Sequence, residues 1–552
     1  MKFTTYLPIF LLIFIGATLF SCQQETVDNQ AVTEEESLTD ELGEISFEVT
    51  GDEAAKPYFK NGLLLLHSFE YEDAREEFLK AQEIDSTFAM AYWGEAMTYN
   101  HSLWQRQEKE KAEAALARLA PTAEERMAFV ETDLEKDFLG AIEVLYGEGT
   151  KYERDVAYKE HLSTLREKYP DNHEVSAFYA ISLLGASRNG RDDELYNQSA
   201  RIVQGIIKEN PKHPGALHYL IHSFDDPDHA AMAKNAADSY SKVAPDAAHA
   251  LHMPSHIYVA LGDWDNVVTC NVASWNASIK RMQRKELDNS ARSYHAFHWL
   301  QYGLLQKGDT AAATDLLKLA NEYVSAKPEK RSRIYLLGMK GAQLVETGDW
   351  TSELAELAVK TDDLNWLSKG QNNFIEGMKA YAKNDIDSLT KVIENMTDNR
   401  GTMRNLVGET GFAMCSAAGY ANQPPNELDI NMVQVMEMEL RAYLATLQKD
   451  NQAAADWFEQ ATALDEGLNY SFGPPRIFKP VHEAYGEWLL ENGDAQLAMD
   501  IFAKALKRQP RRLRSLKGKQ QAAQQLAQQA IVAEVDTELK RNLAELPTDE
   551  LL

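Results

Sequence analysis

Between residues 51 and 529 apolar positions recur at helical spacing, with Ala, Leu, Glu, Lys and Gln dominating and Pro sparse and placed at turns. That pattern predicts helix almost throughout, each helix burying one stripe and exposing its other face. The stripe also repeats along the chain. Counted from Lys479, Gly486 is eighth, Leu489 eleventh, Gly493 fifteenth, Ala498 twentieth, Phe502 twenty-fourth, Ala505 twenty-seventh and Pro510 thirty-second. Counted from Ala55, the same places hold Gly62, Leu65, Ala74, Phe78 and Ala81; counted from Tyr294, they hold Gly308, Ala313, Leu317 and Ala320. Small residues at the eighth, twentieth and twenty-seventh places let two antiparallel helices approach closely, and the fifteenth-place glycine turns the chain between them. Units of this kind bury their apolar faces only by stacking, so the expected fold is all-α, an α-solenoid of helix pairs.

This spacing resembles the tetratricopeptide repeat, which implies a right-handed superhelix with a concave inner groove. Weaker units start near Ala89, Pro214, Ala248, Ile334 and Gln434, while residues 121–146 and 154–187 keep the periodicity without the signature and are expected to pack as divergent pairs. Gly401 and the Gln423-Pro424-Pro425 turn predict a break. The expected organisation is therefore a superhelix over 51–400, further repeats and a capping helix over 401–530, and a polar tail over 531–552.

The first residues change the picture of where the protein works. Residues 1–21 carry a single Lys and an apolar run ending in Leu19-Phe20-Ser21-Cys22, too short for a spanning helix and suited to a removable export signal. The Leu-x-Ser-Cys ending resembles the lipobox of Bacteroidota lipoproteins. It implies acylation of Cys22, anchoring in a membrane leaflet, and a place on the outer membrane facing the periplasm or the exterior. Residues 22–50 are acidic and polar, with Glu34, Glu35, Glu36, Asp40 and Glu41, and are read as a flexible tether. The formal net charge of -29 argues against a nucleic-acid partner. Cys270 and Cys415 are read as small core residues. The basic run of Lys507, Arg508, Arg511, Arg512, Arg514, Lys517 and Lys519 is expected to be mainly a solvated helix end, with acidic lipid or the chain's own acidic face as alternatives.

Candidate chemistry is concentrated in histidine. Nine of the fourteen His residues fall between His213 and His298. His218 and His252 are one repeat of 34 residues apart, as are His222 and His256; His249 and His252 precede His295 and His298 by 46, the offset that also relates Gly262 to Gly308. In repeat coordinates these rings occupy the second, fifth and ninth places of first helices, which face the groove. Two His at i and i+4 share a helix face and can bind one metal through neutral imidazole. His218, His222, His252 and His256 are therefore candidate ligands for a transition metal such as zinc, copper or iron, with Asp225 and Asp226 as further ligands or as acceptors for imidazole N–H groups. Pro254 interrupts the His249–His256 segment, either as a kink or as a helix start, and re-aims its rings.

The same residues also fit a groove for a peptide, protein or small ligand, formed by His218, His222, Asp225, His249, His252, His256, His295, His298 and Tyr302, with Glu483 and Glu487 as an acidic patch for a cationic group. A pure assembly scaffold is the third reading. No Ser-His-Asp set, phosphate loop or paired-Cys motif points to ordinary catalysis. His67, His101, His161 and His173 look structural, and His482 is expected in the core. Four stretches, Phe88-Ala-Met-Ala-Tyr-Trp-Gly94, His213-Pro-Gly-Ala-Leu-His-Tyr-Leu-Ile-His222, His249-Ala-Leu-His-Met-Pro-Ser-His256 and Gly473-Pro-Pro-Arg-Ile-Phe-Lys-Pro480, resemble a family of bacterial tetratricopeptide proteins. The resemblance implies that the His segments belong together, and it brings no activity.

Overall fold

The computed structural model describes residues 40–407, 425–470 and 473–545. The proposed signal, Cys22 and Cys415 lie outside them. Among the described residues the chain is all-α, built from stacked antiparallel helix pairs; the sole strand pairing joins Asn100–His101 to Arg106–Gln107. None of these helices is long and apolar enough to cross a membrane.

The repeat arithmetic is visible as packing. In the last complete unit, helices Val481–Glu491 and Ala495–Arg508 are joined through Gly493, whose φ of 85° suits glycine. The Phe502 ring lies against Gly486 and Gly518, where an added Cβ would sit 2.8 and 2.2 Å from it. Near the start, Phe78 is held in the same way between Gly62 and Gly94, at 2.8 and 2.4 Å. In these two units one large ring keys the helix pair to the next helix. Burying it contributes about 1.5–3 kcal/mol only because both neighbours lack a side chain.

The divergent stretches also form helices: Ala123–Met127 and Asp133–Leu145, then Lys151–Lys168 and His173–Gly185. Four expectations are corrected. Gly401 lies inside the Ile386–Arg404 helix, while Gln423 and Pro424 of the expected break lie outside the described residues. The apolar core divides within the Lys330–Thr347 helix rather than at 400–401, one part running from Leu42 to Ala342 and the other from Leu337 to Ala523. The end of the expected tether is packed: the Glu44 N–H donates to Lys212 O at 2.9 Å, and Phe47 meets Phe138 edge-on at 5.1 Å. The expected polar tail is largely a helix, Gln529–Asn542, with Val535 and Leu539 buried against Leu513 and Leu516.

That last helix helps close the array on itself. The Trp264 indole N–H donates to Arg511 O at 3.0 Å, and Asn542 donates to the same carbonyl at 2.7 Å. At the other end, Arg281 and Lys285 clasp Asp73, at 2.8 and 2.7 Å, and so fix the first helix pair against the Trp264–Arg284 helix. With both ends folded inward, the inner face that carries the histidines is covered rather than open.

Candidate metal centre

The Pro214–Ser223 helix starts at Pro214, whose missing N–H costs nothing there, and His213 caps it by accepting the Ala216 N–H at 3.2 Å. Helical spacing then puts His218 and His222 on one face, ring centroids 4.9 Å apart. The next His segment is split as Pro254 requires: helix Ala248–His252 ends, Met253 intervenes, and helix Pro254–Leu261 begins. Both alternatives therefore hold in part, because Pro254 opens a new helix while His249 and His252 sit on a short helix rather than a loop. The break turns His249 toward His218, centroids 5.1 Å apart, while His252 faces His256 and, from the Tyr294–Gln306 helix, His295, at 5.2 and 4.5 Å.

Two sets of three imidazoles result. His218, His222 and His249 form one, and His252, His256 and His295 the other; within each set a nitrogen from every ring lies within 4.8 Å of the others. The four-histidine site expected from sequence is thus divided, each i,i+4 pair acquiring a third ring from a different helix. Rings also touch across the divide, His222 to His256 at 5.5 Å and His249 to His252 at 6.1 Å.

Outer partners fix which nitrogen points inward. His218 Nδ1 donates to the backbone carbonyl of His67 at 2.8 Å, His252 Nδ1 to Asn271 Oδ1 at 2.7 Å, and His222 and His256 Nδ1 both to Asp225 Oδ2 at 3.2 Å. In His218, His222 and His252 those bonds select the tautomer with a bare Nε2. The Nε2 atoms of His218, His222, His249, His252 and His295 are buried without a hydrogen-bond partner, and His295 Nδ1 is too. Leaving so many buried acceptors unpaired is costly in an ordinary core, at about 1–3 kcal/mol each. One ring nitrogen engaged and the other bare, as in His218, His222 and His252, is the arrangement of metal ligands with their supporting partners.

The electrostatics agree. Burial and neighbouring imidazoles drive the pKa values of His218, His249 and His295 well below that of free imidazole, and burial brings His252 down to about 3. His256 is also lowered, burial outweighing the opposing pull of Asp225. These rings are neutral at pH 7, the form that binds metal. Asp225 remains a carboxylate: burial works against its charge, but the hydrogen bonds from His222 and His256 outweigh it and lower its pKa.

Phe69, at the end of the first helix pair's leading helix, covers the first set at 4.3 Å from His218, and Trp299 stacks on His256 at 4.7 Å. Trp299 is backed by the Gly473-Pro474-Pro475 turn, where an added Gly473 Cβ would lie 2.1 Å from the indole. Beside the centre lies a polar cavity of about 740 Å³, lined in part by His249, His252 and His295 with Tyr71, His101 and Trp104. Asn271, Phe69 and His101 had no sequence signal as site residues, since each reaches the centre through packing across distant helices.

Other expected groove residues lie elsewhere. His298 is outside both sets, near Tyr335 at 6.4 Å, and burial lowers its pKa to about 4. Tyr302, Glu483 and Glu487 do not line an open groove. Arg512, fully buried, donates to Tyr302 Oη at 2.8 Å and to both Glu483 oxygens at 2.8 and 3.0 Å, while Arg514 and Lys479 hold Glu487 at 2.6 and 2.5 Å. The acidic patch receives the chain's own cations, so part of the basic run is internal rather than solvated. His67, expected to be isolated, pairs with Glu174 at 2.7 Å and Tyr219 at 2.9 Å, in a buried group that includes His213. His482 is in the core as expected, bonded to Glu466 at 3.0 Å.

No family model matches the chain, and no curated protein matches it in sequence. Among solved structures it is similar to yeast Tom70, at 12% identity and TM-score 0.32 over 88% of this chain and 99% of that one. It is also similar to human IFIT1, in a dimer with m7Gppp-AAAA, at 10% identity and TM-score 0.33 over 90% and 92%. The APC/C hetero-tetramer Cut9-Hcn1 is matched at 13% identity and TM-score 0.32, over 88% and 79%. The functional reading rests on the geometry of the site itself.

Proposed function

We propose that this chain is a metalloprotein whose helical-repeat scaffold holds transition-metal ions on two neighbouring sets of three histidines, and that the adjoining cavity admits a small ligand to them. The observation that carries this reading is the trio of buried, unpaired Nε2 atoms on His218, His222 and His252, whose opposite ring nitrogens are held by the His67 carbonyl, Asp225 and Asn271. Three imidazoles in each set favour copper or zinc over the harder metals. With metal–nitrogen bonds of about 2.0–2.1 Å, three ligand nitrogens stand about 3.3 Å apart, so the sets close on an ion by side-chain shifts of about 1 Å.

The test is metal analysis of protein purified without a His tag, beside a His218→Ala/His222→Ala variant and a His252→Ala/His256→Ala variant. Up to two ions per chain are expected, with each double variant losing the ion of its own set. Metal-free protein after supplementation with copper and zinc, in wild type and variants alike, would sink the reading.

The cavity's size and polar lining also support a ligand-binding role for the scaffold, with a peptide or protein partner reaching the centre through the same mouth. Anchoring through an acylated Cys22 at the outer membrane completes the proposal. Metabolic labelling with a fatty acid should mark the chain and fail on a Cys22→Ala variant; an unlabelled wild type would remove the anchor.

A further inference from the structure

The spacing between the two histidine sets is the feature that goes furthest. Ring-to-ring distances across the divide, 5.5 and 6.1 Å, are scarcely longer than the 4.5 to 5.2 Å within the sets. Asp225 Oδ2 spans the divide by accepting from one ring of each. Ions held by the two sets would therefore be neighbours, close enough for one small molecule to touch both, as in two-metal sites. His249 of the first set, with His252 and His295 of the second, faces the cavity, so an incoming molecule meets both ions together.

Charge decides what that molecule is. Ligating imidazoles bring no charge, Asp225 brings one negative charge, and the Glu70 carboxyl, which accepts the His249 backbone N–H, brings at most one more, in a site flanked by Phe69, Trp299 and Tyr335. Two divalent ions would leave a large uncompensated positive charge out of water, which is expensive. Two cuprous ions leave little. We propose that the two sets hold a coupled pair of copper ions that binds dioxygen as a bridge between them, an inference that rests on the metal reading above. Each Cu(I) gives one electron to O2, the O–O double bond becomes the single bond of a peroxide dianion bound to both Cu(II) ions, and no proton is taken up. The two electrons stay within the site, so its net charge is unchanged, which suits a buried pocket.

The experiment loads the full chain anaerobically with Cu(I) and then admits oxygen. Two coppers per chain, one O2 taken up per two coppers, an intense near-ultraviolet charge-transfer band and no Cu(II) electron paramagnetic resonance are expected, the last because bridged Cu(II) spins cancel. A His295→Ala variant is the control. Both ring nitrogens of His295 lack hydrogen bonds, so its removal orphans no partner and the fold should persist by circular dichroism. Its copper should fall to one per chain and, once oxidised, give an ordinary Cu(II) resonance without the band. Wild type that binds two coppers but takes up no O2, or that oxidises to two visible, independent Cu(II) signals, would overturn the dioxygen bridge while leaving the metal centre standing. Wild type that binds no copper would overturn both.

Discussion

Asp225→Asn probes how the two histidine sets depend on one residue. The carboxylate accepts Nδ1–H from His222 of one set and His256 of the other, both at 3.2 Å, and it is 1% exposed. Asparagine keeps the shape and one acceptor oxygen but removes the charge that makes both imidazoles better donors to metal. Losing such a supporting carboxylate typically costs about 10–100-fold in metal affinity, or about 1.4–2.7 kcal/mol per site. Because Asp225 serves a ring from each set, both affinities should fall together. The metal-free fold should change by no more than ~1 kcal/mol, since asparagine keeps the shape and an oxygen that accepts the same imidazole N–H groups. Competition titration against a chelator reads the two affinities, and chemical denaturation of the metal-free protein reads the fold. A loss confined to one site, or less than about threefold at both, would refute the argument that Asp225 links them.

Gly94→Ala should destabilise the fold by about 1–3 kcal/mol, read as a lowered thermal midpoint, because the new methyl lies 2.4 Å from the Phe78 ring and that ring is walled on its other side by Gly62. Arg512→Ala should cost about 3–5 kcal/mol by leaving the buried carboxylates of Glu483 and Glu346 without their partner, and limited proteolysis should then cut the released C-terminal helices first; resistance equal to wild type would refute the internal closure. His298→Gln tests acid sensitivity. The His298 pKa lies at about 4 in the fold against 6.5 when free, so its contribution is fully present above pH 6.5 and is lost as pH falls from 6.5 toward 4, at most about 3 kcal/mol. Stability of the variant should depend less steeply on pH across that window, by about one proton, and an unchanged slope would contradict the assignment.

The sequence by itself determined the local architecture. Gly308 and Gly493 set where their helix pairs turn, and Phe78 and Phe502 set which ring keys a pair to the next helix, since those properties depend on neighbours a few positions away. It also determined that His218 and His222, and His252 and His256, share helix faces, because i,i+4 geometry is a property of the single helix. Helix pairing left open how those faces meet. Pro254's break sends His249 to one set and His252 to the other, Asp225 reaches across from a loop, and His295 arrives from a helix some forty residues further on. Phe69 and the Arg512 network then seal an inner wall that the repeat pattern alone leaves open. Small rotations between successive repeats add up along the array, so which distant side chains meet is a sum over many interfaces, and only the tertiary structure evaluates it.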